Sequence, residues 1–158
     1  MKRISLLLVF VAAFACATLG CNKNPYGTID ITGRITVDGE PMEGVSVTMA
    51  PVNAAADSGQ RAAGGVTKED GTVRFVSAGS PVAGVMPGEY VLTFQKEVWV
   101  TADGTPAEDI PYDPSKPEPA MHPVDLIPAK YKDPKNSDFH VNVVDKTSTF
   151  DFDIVTKE

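Results

Sequence analysis

The chain has 158 residues, 42% of them hydrophobic, which fits one globular domain with a real core rather than two domains. Thirteen prolines and thirteen glycines favour short strands separated by turns over long helices. The formal net charge of −7 excludes nucleic acid as a natural partner, since phosphate binding needs a basic footprint, and it makes any membrane attachment covalent or hydrophobic.

The N-terminus predicts an export signal. Lys2 and Arg3 form a positive n-region, and residues 4 to 17 are almost continuously apolar. That run is shorter than the roughly 20 residues of a membrane span and fits a signal h-region. It ends at residues 18 to 21 (TLGC), which resemble the lipobox of bacterial lipoproteins.

The lipobox resemblance implies cleavage before Cys21 and a diacylglycerol on its sulfur, with further acylation such as palmitate. Residues 1 to 20 are then the signal peptide, and residues 21 to 27 tether the domain to a cell-envelope membrane. Asn22 is not the aspartate that retains some lipoproteins at the inner membrane, so the outer membrane is preferred. Thr18 departs from the usual leucine. A plain secretory signal with an incidental cysteine, or use of Cys16 instead, are the alternatives.

Alternation of apolar and polar residues predicts the first strands. Residues 29 to 37 and 45 to 49 alternate strictly, and the turn containing Gly39 between them predicts a hairpin. Residues 53 to 64 are small and polar and predict a loop. Gly71 predicts a second tight turn, which leads into a strand at residues 72 to 75.

The second half contains one clear strand, at residues 90 to 94, and then a long proline-rich stretch. Residues 98 to 137 carry eight prolines, so we expect a long loop there without regular strands or helices. Alternation returns at residues 141 to 143 and 150 to 154, with a turn at residues 146 to 148. Residues 28 to 158 therefore predict an all-β, antiparallel, Ig-like sandwich of about seven strands.

Three stretches resemble carboxypeptidase regulatory-like domains, which are transthyretin-like (prealbumin-like) sandwiches. They are residues 31 to 47 (ITGRITVDGEPMEGVSV), residues 65 to 75 (GVTKEDGTVRF) and residues 85 to 92 (VMPGEYVL). The resemblance covers roughly residues 28 to 97 and implies a fold more than a function, because this module is an accessory in most proteins that contain it. Tyr90 is expected to fill the core and tie down a corner with its hydroxyl.

No catalytic constellation is predicted, and no cofactor is implied. The chain is similar to transthyretin-like hydroxyisourate hydrolases in fold only, since their histidine, arginine and tyrosine-arginine-glycine-serine signatures have no counterpart here. It also lacks the zinc motif of the carboxypeptidases, a glycine-rich phosphate loop and a GxSxG elbow.

The two histidines are interpreted as solvated side chains rather than as metal ligands. His122 and His140 could act with Asp125 or Asp138, but the ligand spacing of a metal site is missing, so no metal residues are predicted. Two sets of acidic residues are also interpreted as solvated. The set considered as a calcium loop is Asp103, Glu108, Asp109 and Asp113. The set considered as an acid pair is Asp30, Asp151 and Asp153.

The candidate ligand-contact residues are Trp99, Tyr112 and Tyr131, which fall in or beside the proline-rich stretch. They could stack on sugars or anchor a partner, although pinning the loop to the sheet is the simpler interpretation. The leading hypothesis is a non-enzymatic, lipid-anchored binding or structural module whose partners are an envelope protein or polysaccharide. The alternatives are a carbohydrate-binding module using residues 98 to 137, and an enzyme in which His122 or His140 meets acidic groups in a cleft.

Overall fold

The computed structural model describes residues 27–53, 59–81, 83–144 and 149–156. The predicted signal peptide, Cys21 and most of the tether lie outside these residues. So do the centre of the loop predicted at residues 53 to 64 and the turn predicted at residues 146 to 148. Among the described residues, no helix is both long enough and apolar enough to span a membrane.

The first sheet is built around β1 (Thr32–Val37). On one side β1 pairs in parallel with β11 (Thr149–Ile154) over six register positions. On its other side it pairs antiparallel with β2 (Glu40–Pro41) and β5 (Thr72–Arg74). The first and last strands of the described chain are therefore neighbours.

The second sheet is antiparallel and has five strands in the order β10, β7, β3, β4, β6. Its centre is β3 (Ser46–Pro51) between β4 (Ala63–Val66) and β7 (Gly88–Gln95). Its edges are β6 (Val76–Ser77) and β10 (His140–Val143).

The two sheets enclose one apolar core, and the predicted all-β sandwich is confirmed. Inward positions of β1, β3 and β7 are almost completely buried, as their two-residue alternation predicts. Rings from both sheets meet inside. Phe139 contacts Phe94, Tyr131 and Phe152, with ring centroids 5.2, 5.4 and 5.0 Å away. These tilted and edge-on contacts join the two inner faces.

The hairpin predicted between residues 29 to 37 and 45 to 49 is wrong. Gly39, at a φ of 86°, does make the turn, but the returning strand is only the two-residue β2. The chain then crosses to the other sheet, where it becomes β3. Both edges of β1 are already taken, because β11 occupies one and β2 and β5 share the other.

The crossing segment between the sheets is fixed by one buried side chain. Thr67 is only 3% exposed, and its Oγ1 donates to the Met42 carbonyl at 2.6 Å and accepts from the Val45 amide at 2.8 Å. The Gly44 amide donates to the Thr67 carbonyl at 2.9 Å. Thr67 thus supplies partners to backbone groups that leave one sheet before joining the next.

Tyr90 behaves as the sequence predicts. Its side chain is fully buried, and its hydroxyl donates to the Met86 carbonyl at 2.9 Å, four residues upstream. Burial raises the pKa of this phenol, so the hydroxyl stays protonated and able to donate. The corner before β7 is closed by this bond.

The expectation of no regular strand within residues 98 to 137 is wrong in two places. β8 (Glu97–Thr101) and β9 (Met121–Asp125) pair antiparallel as a separate two-stranded sheet, hereafter the ribbon. Short 3₁₀ turns also form at Ala107–Asp109 and Ala129–Tyr131. The ribbon tolerates the prolines because only Pro123 lies within either strand, at a position where no backbone amide is needed for a hydrogen bond between the strands.

Candidate functional site

The ribbon lies at one end of the sandwich, and Ile29, where the described chain enters the fold, lies at the other. At the entry end, Ile29 pairs with Val85, just before β7 begins. β7 then runs eight residues, about 26 Å, and only Lys96 separates it from β8. Because β7 carries the chain from one end of the sandwich to the other, the ribbon and Ile29 lie at opposite ends.

One face of the ribbon exposes a tryptophan. Within β8 and β9 the register pairs Trp99 with Pro123, and side chains alternate between the two faces. Trp99 is 51% exposed, whereas Val100 on the opposite face is 8% exposed and pairs with Pro106. The surface carrying Trp99 and Pro123, with Glu97 and Thr101 beside Trp99, is hereafter the Trp99 face.

The register also explains the proline. The Leu126 amide donates to the Lys96 carbonyl at 2.9 Å, which makes these two residues a hydrogen-bonded pair. Hydrogen-bonded and non-hydrogen-bonded pairs alternate along an antiparallel ladder, so Trp99 and Pro123 form a non-hydrogen-bonded pair. Their side chains are therefore close, and the donor that proline lacks would have pointed out of the edge of β9. The edge of β9 is therefore a poor template for an added strand, and the side chains of the Trp99 face are the surface of the ribbon left available to a partner.

Acidic groups surround the Trp99 face. Glu97 is exposed on the same side of β8, and Asp125 opposite it forms an ion pair with Lys132. Asp103 is held beside the face by the Thr101 hydroxyl, which donates to it, and by the Thr105 amide at 3.4 Å. These hydrogen bonds, led by the one from Thr101, hold the pKa of the Asp103 carboxyl below its usual value, so it is ionised under ordinary conditions.

Removing the Thr101 hydroxyl should release Asp103. In Thr101→Val we expect the pKa of the Asp103 carboxyl to rise toward its usual value, because the hydrogen bond that favours the ionised form is gone. The bond stabilises the fold above the unfolded-state pKa of this group, and that contribution is lost as pH falls through the lower folded-state pKa. Carbon-detected NMR titration of the carboxyl measures the change, with Asp113 as internal control. An unchanged Asp103 titration would contradict this account.

The structure separates the three aromatic residues predicted from the sequence. Trp99 is half exposed and Tyr112 is 86% exposed, so both are accessible. Tyr131 is only 6% exposed, and its ring packs on Phe139 while its hydroxyl donates to the Val155 carbonyl at 3.3 Å. Tyr131 is therefore part of the core, and its prediction as a contact residue is wrong. It pins its loop to the sandwich, as the simpler interpretation has it.

The two histidines lie in different places. His122 is exposed on β9, and His140 is exposed on β10. His140 borders an open cleft of about 300 Å³ at the chain-entry end, where Asn142 is paired with Glu89. The hydroxyl among the residues that line this cleft belongs to Tyr90, and it is already donated to a carbonyl. The cleft offers one imidazole, one carboxylate and one amide as a polar surface.

Four of the acids considered for calcium or acid-pair chemistry, Asp103 among them, accept hydrogen bonds within the fold. Asp113 accepts from the Ser115 amide and hydroxyl, at 3.0 and 2.7 Å. Asp153 accepts from the Thr36 hydroxyl at 2.7 Å and the Gly39 amide at 2.9 Å, which caps the first turn. Asp30 forms a two-pronged pair with Arg74, at 2.9 and 2.7 Å. Within residues 27–53, 59–81, 83–144 and 149–156, no three histidine, cysteine, aspartate or glutamate side chains converge as a metal site.

Fold and site together define an all-β sandwich that carries an exposed aromatic, acid-flanked ribbon at one end. No protein-family model, curated protein or solved structure matches the chain.

Proposed function

We propose that this protein is a lipid-anchored, non-enzymatic module of the cell envelope, built on a carboxypeptidase regulatory-like (transthyretin-like) sandwich. Its role is to bind a partner or to serve as a structural module, and its membrane partner is reached through the lipid on Cys21. The outer membrane is the preferred location. No cofactor and no nucleic acid take part.

The observation that carries the proposal is the N-terminal sequence. A basic pair, an apolar run and the residues TLGC stand in the order of a lipoprotein signal. Removing residues 1 to 20 leaves Cys21 as the one cysteine, since Cys16 lies in the segment removed. Two or three acyl chains on this residue give stable membrane attachment, because each buried methylene contributes about 0.8 kcal/mol.

The family proposal is supported by the motif residues. Gly39 and Gly71 have φ values of 86° and 76°, and both sit in the turns of the resembling stretches. A side chain at Gly71 would also approach the Ile35 carbonyl to 2.5 Å. Tyr90 closes the corner before the strand that the third stretch opens. These residues serve folding, as expected of an accessory module.

Intact-mass measurement tests the anchor. The protein is purified from membranes of a bacterial host beside Cys21→Ser. We expect a mature species that begins at Cys21 and is heavier by a diacylglycerol, and we expect the lipid to be lost in the variant. A soluble mature chain without lipid would overturn the lipoprotein proposal and leave a secreted sandwich with a free thiol.

A carbohydrate-binding module using residues 98 to 137 is the second candidate, favoured by the exposure of Trp99 and Tyr112. Aromatic faces can stack on sugar rings while nearby polar groups fix orientation. Trp99 is the one tryptophan of the chain, so its fluorescence reports directly on this site. Titration with neutral oligosaccharides should shift its emission if the candidate holds, and an unchanged spectrum with each sugar would reject it.

A further inference from the structure

We infer that the Trp99 face binds a basic segment of another polypeptide, one that places lysine or arginine side chains over Trp99 and between the flanking carboxylates. This inference rests on the proposed binding role of the module, and it names the partner class and the surface. Its binding test does not require the lipid on Cys21.

The charge distribution selects a cationic partner. Residues 97 to 126, the ribbon and its connecting loop, contain seven acidic residues and one lysine, a net charge of −6 against −7 for the whole chain. Lys132 neutralises Asp125 from outside this segment, but Glu97 and Asp103 remain as exposed anions on either side of Trp99. Such a surface repels acidic partners and steers basic ones toward it.

The exposed ring of Trp99 favours a partner cation that can lose part of its hydration shell. A tryptophan face is the best of the aromatic side chains at attracting lysine or arginine, and half of Trp99 is exposed. Pro123 directly opposite adds a rigid apolar neighbour that packs against the alkyl part of such a side chain. Tryptophan is also one of the residues enriched at interface hot spots.

The geometry of the fold favours a partner in solution over a lipid surface. The chain enters the sandwich beside Val85, whereas the ribbon begins after β7, at the other end. A domain anchored through the residues before Ile29 is therefore attached at the end opposite the Trp99 face. The edge of β9 is interrupted at Pro123, so the partner is recognised through side chains on the face rather than as an added strand.

Binding is tested by calorimetric titration of the purified protein in nonionic detergent. The probe is a short peptide in which lysine and arginine alternate with serine. Its glutamate counterpart and a neutral oligosaccharide are run in parallel. We expect binding of the basic peptide alone, weakened about tenfold or more by Trp99→Ala and only about threefold by Trp99→Phe. Glu97→Gln combined with Asp103→Asn should weaken it about fivefold and reduce its salt dependence.

A matched control separates this site from general charge attraction. Glu69→Gln combined with Glu89→Gln removes the same number of negative charges from exposed positions outside the ribbon. This control pair should leave the affinity unchanged. Equal weakening by the control pair, or full binding by Trp99→Ala, would overturn the inference. Oligosaccharide binding in place of peptide binding would also overturn it and support the second candidate function. None of these outcomes bears on the mass of the lipidated N-terminus.

Discussion

Replacing Phe139 with alanine should lower the free energy of unfolding by about 3 kcal/mol. Its ring contacts Phe94 on β7, Tyr131 of the 3₁₀ turn and Phe152 on β11, so it joins both sheets and the end of the proline-rich stretch. Alanine leaves a cavity among three aromatic rings, two of which are held by different strands and one by the 3₁₀ turn. These rings cannot all move to fill the cavity. The loss of stability is therefore larger than the free energy of transferring the deleted side-chain atoms from water to the core.

Urea denaturation followed by far-ultraviolet circular dichroism measures this loss. Phe139→Leu is the matched control, because it keeps much of the apolar volume and should lose no more than about half as much. A loss equal to that of alanine would show that ring geometry, rather than filled volume, holds the junction. A loss below about 1 kcal/mol for alanine would contradict the role assigned to Phe139.

Replacing Thr67 with valine should lower the free energy of unfolding by about 2 to 3 kcal/mol. Valine keeps the shape of threonine but leaves the Val45 amide without its acceptor and the Met42 carbonyl without its donor. The bond from the Val45 amide is buried and the bond to the Met42 carbonyl is partly buried, so water does not readily replace the lost hydroxyl at the Val45 amide. Desolvated backbone groups left unpaired account for the whole expected loss.

Thr67→Ser separates the hydroxyl from the methyl group in the same assay. Serine retains both hydrogen bonds and loses one buried methyl, which is worth about 1 kcal/mol. We therefore expect serine to be clearly more stable than valine at this position. The reverse order would show that packing, not hydrogen bonding, fixes the crossing between the sheets.

The sequence predicts the strands and turns better than their partners. Alternation identifies which residues of β1 face the core, but a period of two is the same whichever strand lies beside it. The partner is decided by contacts distant in sequence. Gly33 of β1 lies opposite Phe150 of β11, and a side chain at Gly33 would approach that ring to 2.6 Å. The parallel pairing of the first and last strands follows from fits of this kind, which local patterning does not contain.

At the candidate site, too, some features follow from the local sequence and others depend on contacts distant in sequence. Trp99 and Tyr112 are named from the sequence as candidate contact residues, with pinning of the loop to the sheet as the simpler interpretation, and the structure leaves both side chains exposed. Tyr131 is named with them, yet it is buried against Phe139, and its hydroxyl donates to the Val155 carbonyl. The number of prolines predicts a loop where the ribbon forms, because a count does not show whether the backbone amide at each position would donate to a neighbouring strand. At Pro123 no such hydrogen bond is required, and only the register of the ribbon reveals this.

The parallel arrangement of β1 and β11 has a mechanical consequence. Tension transmitted from the N-terminal segment pulls β1 along its own axis, and β1 is flanked over its length by β11 on one side and by β2 and β5 on the other. The six β1–β11 register pairs then share the load in shear, rather than opening one after another as in a peeled edge strand. Forced unfolding depends on the rate of barrier crossing, and simultaneous loading raises that barrier. A domain held at this end is thus built to stay folded while its far end is pulled.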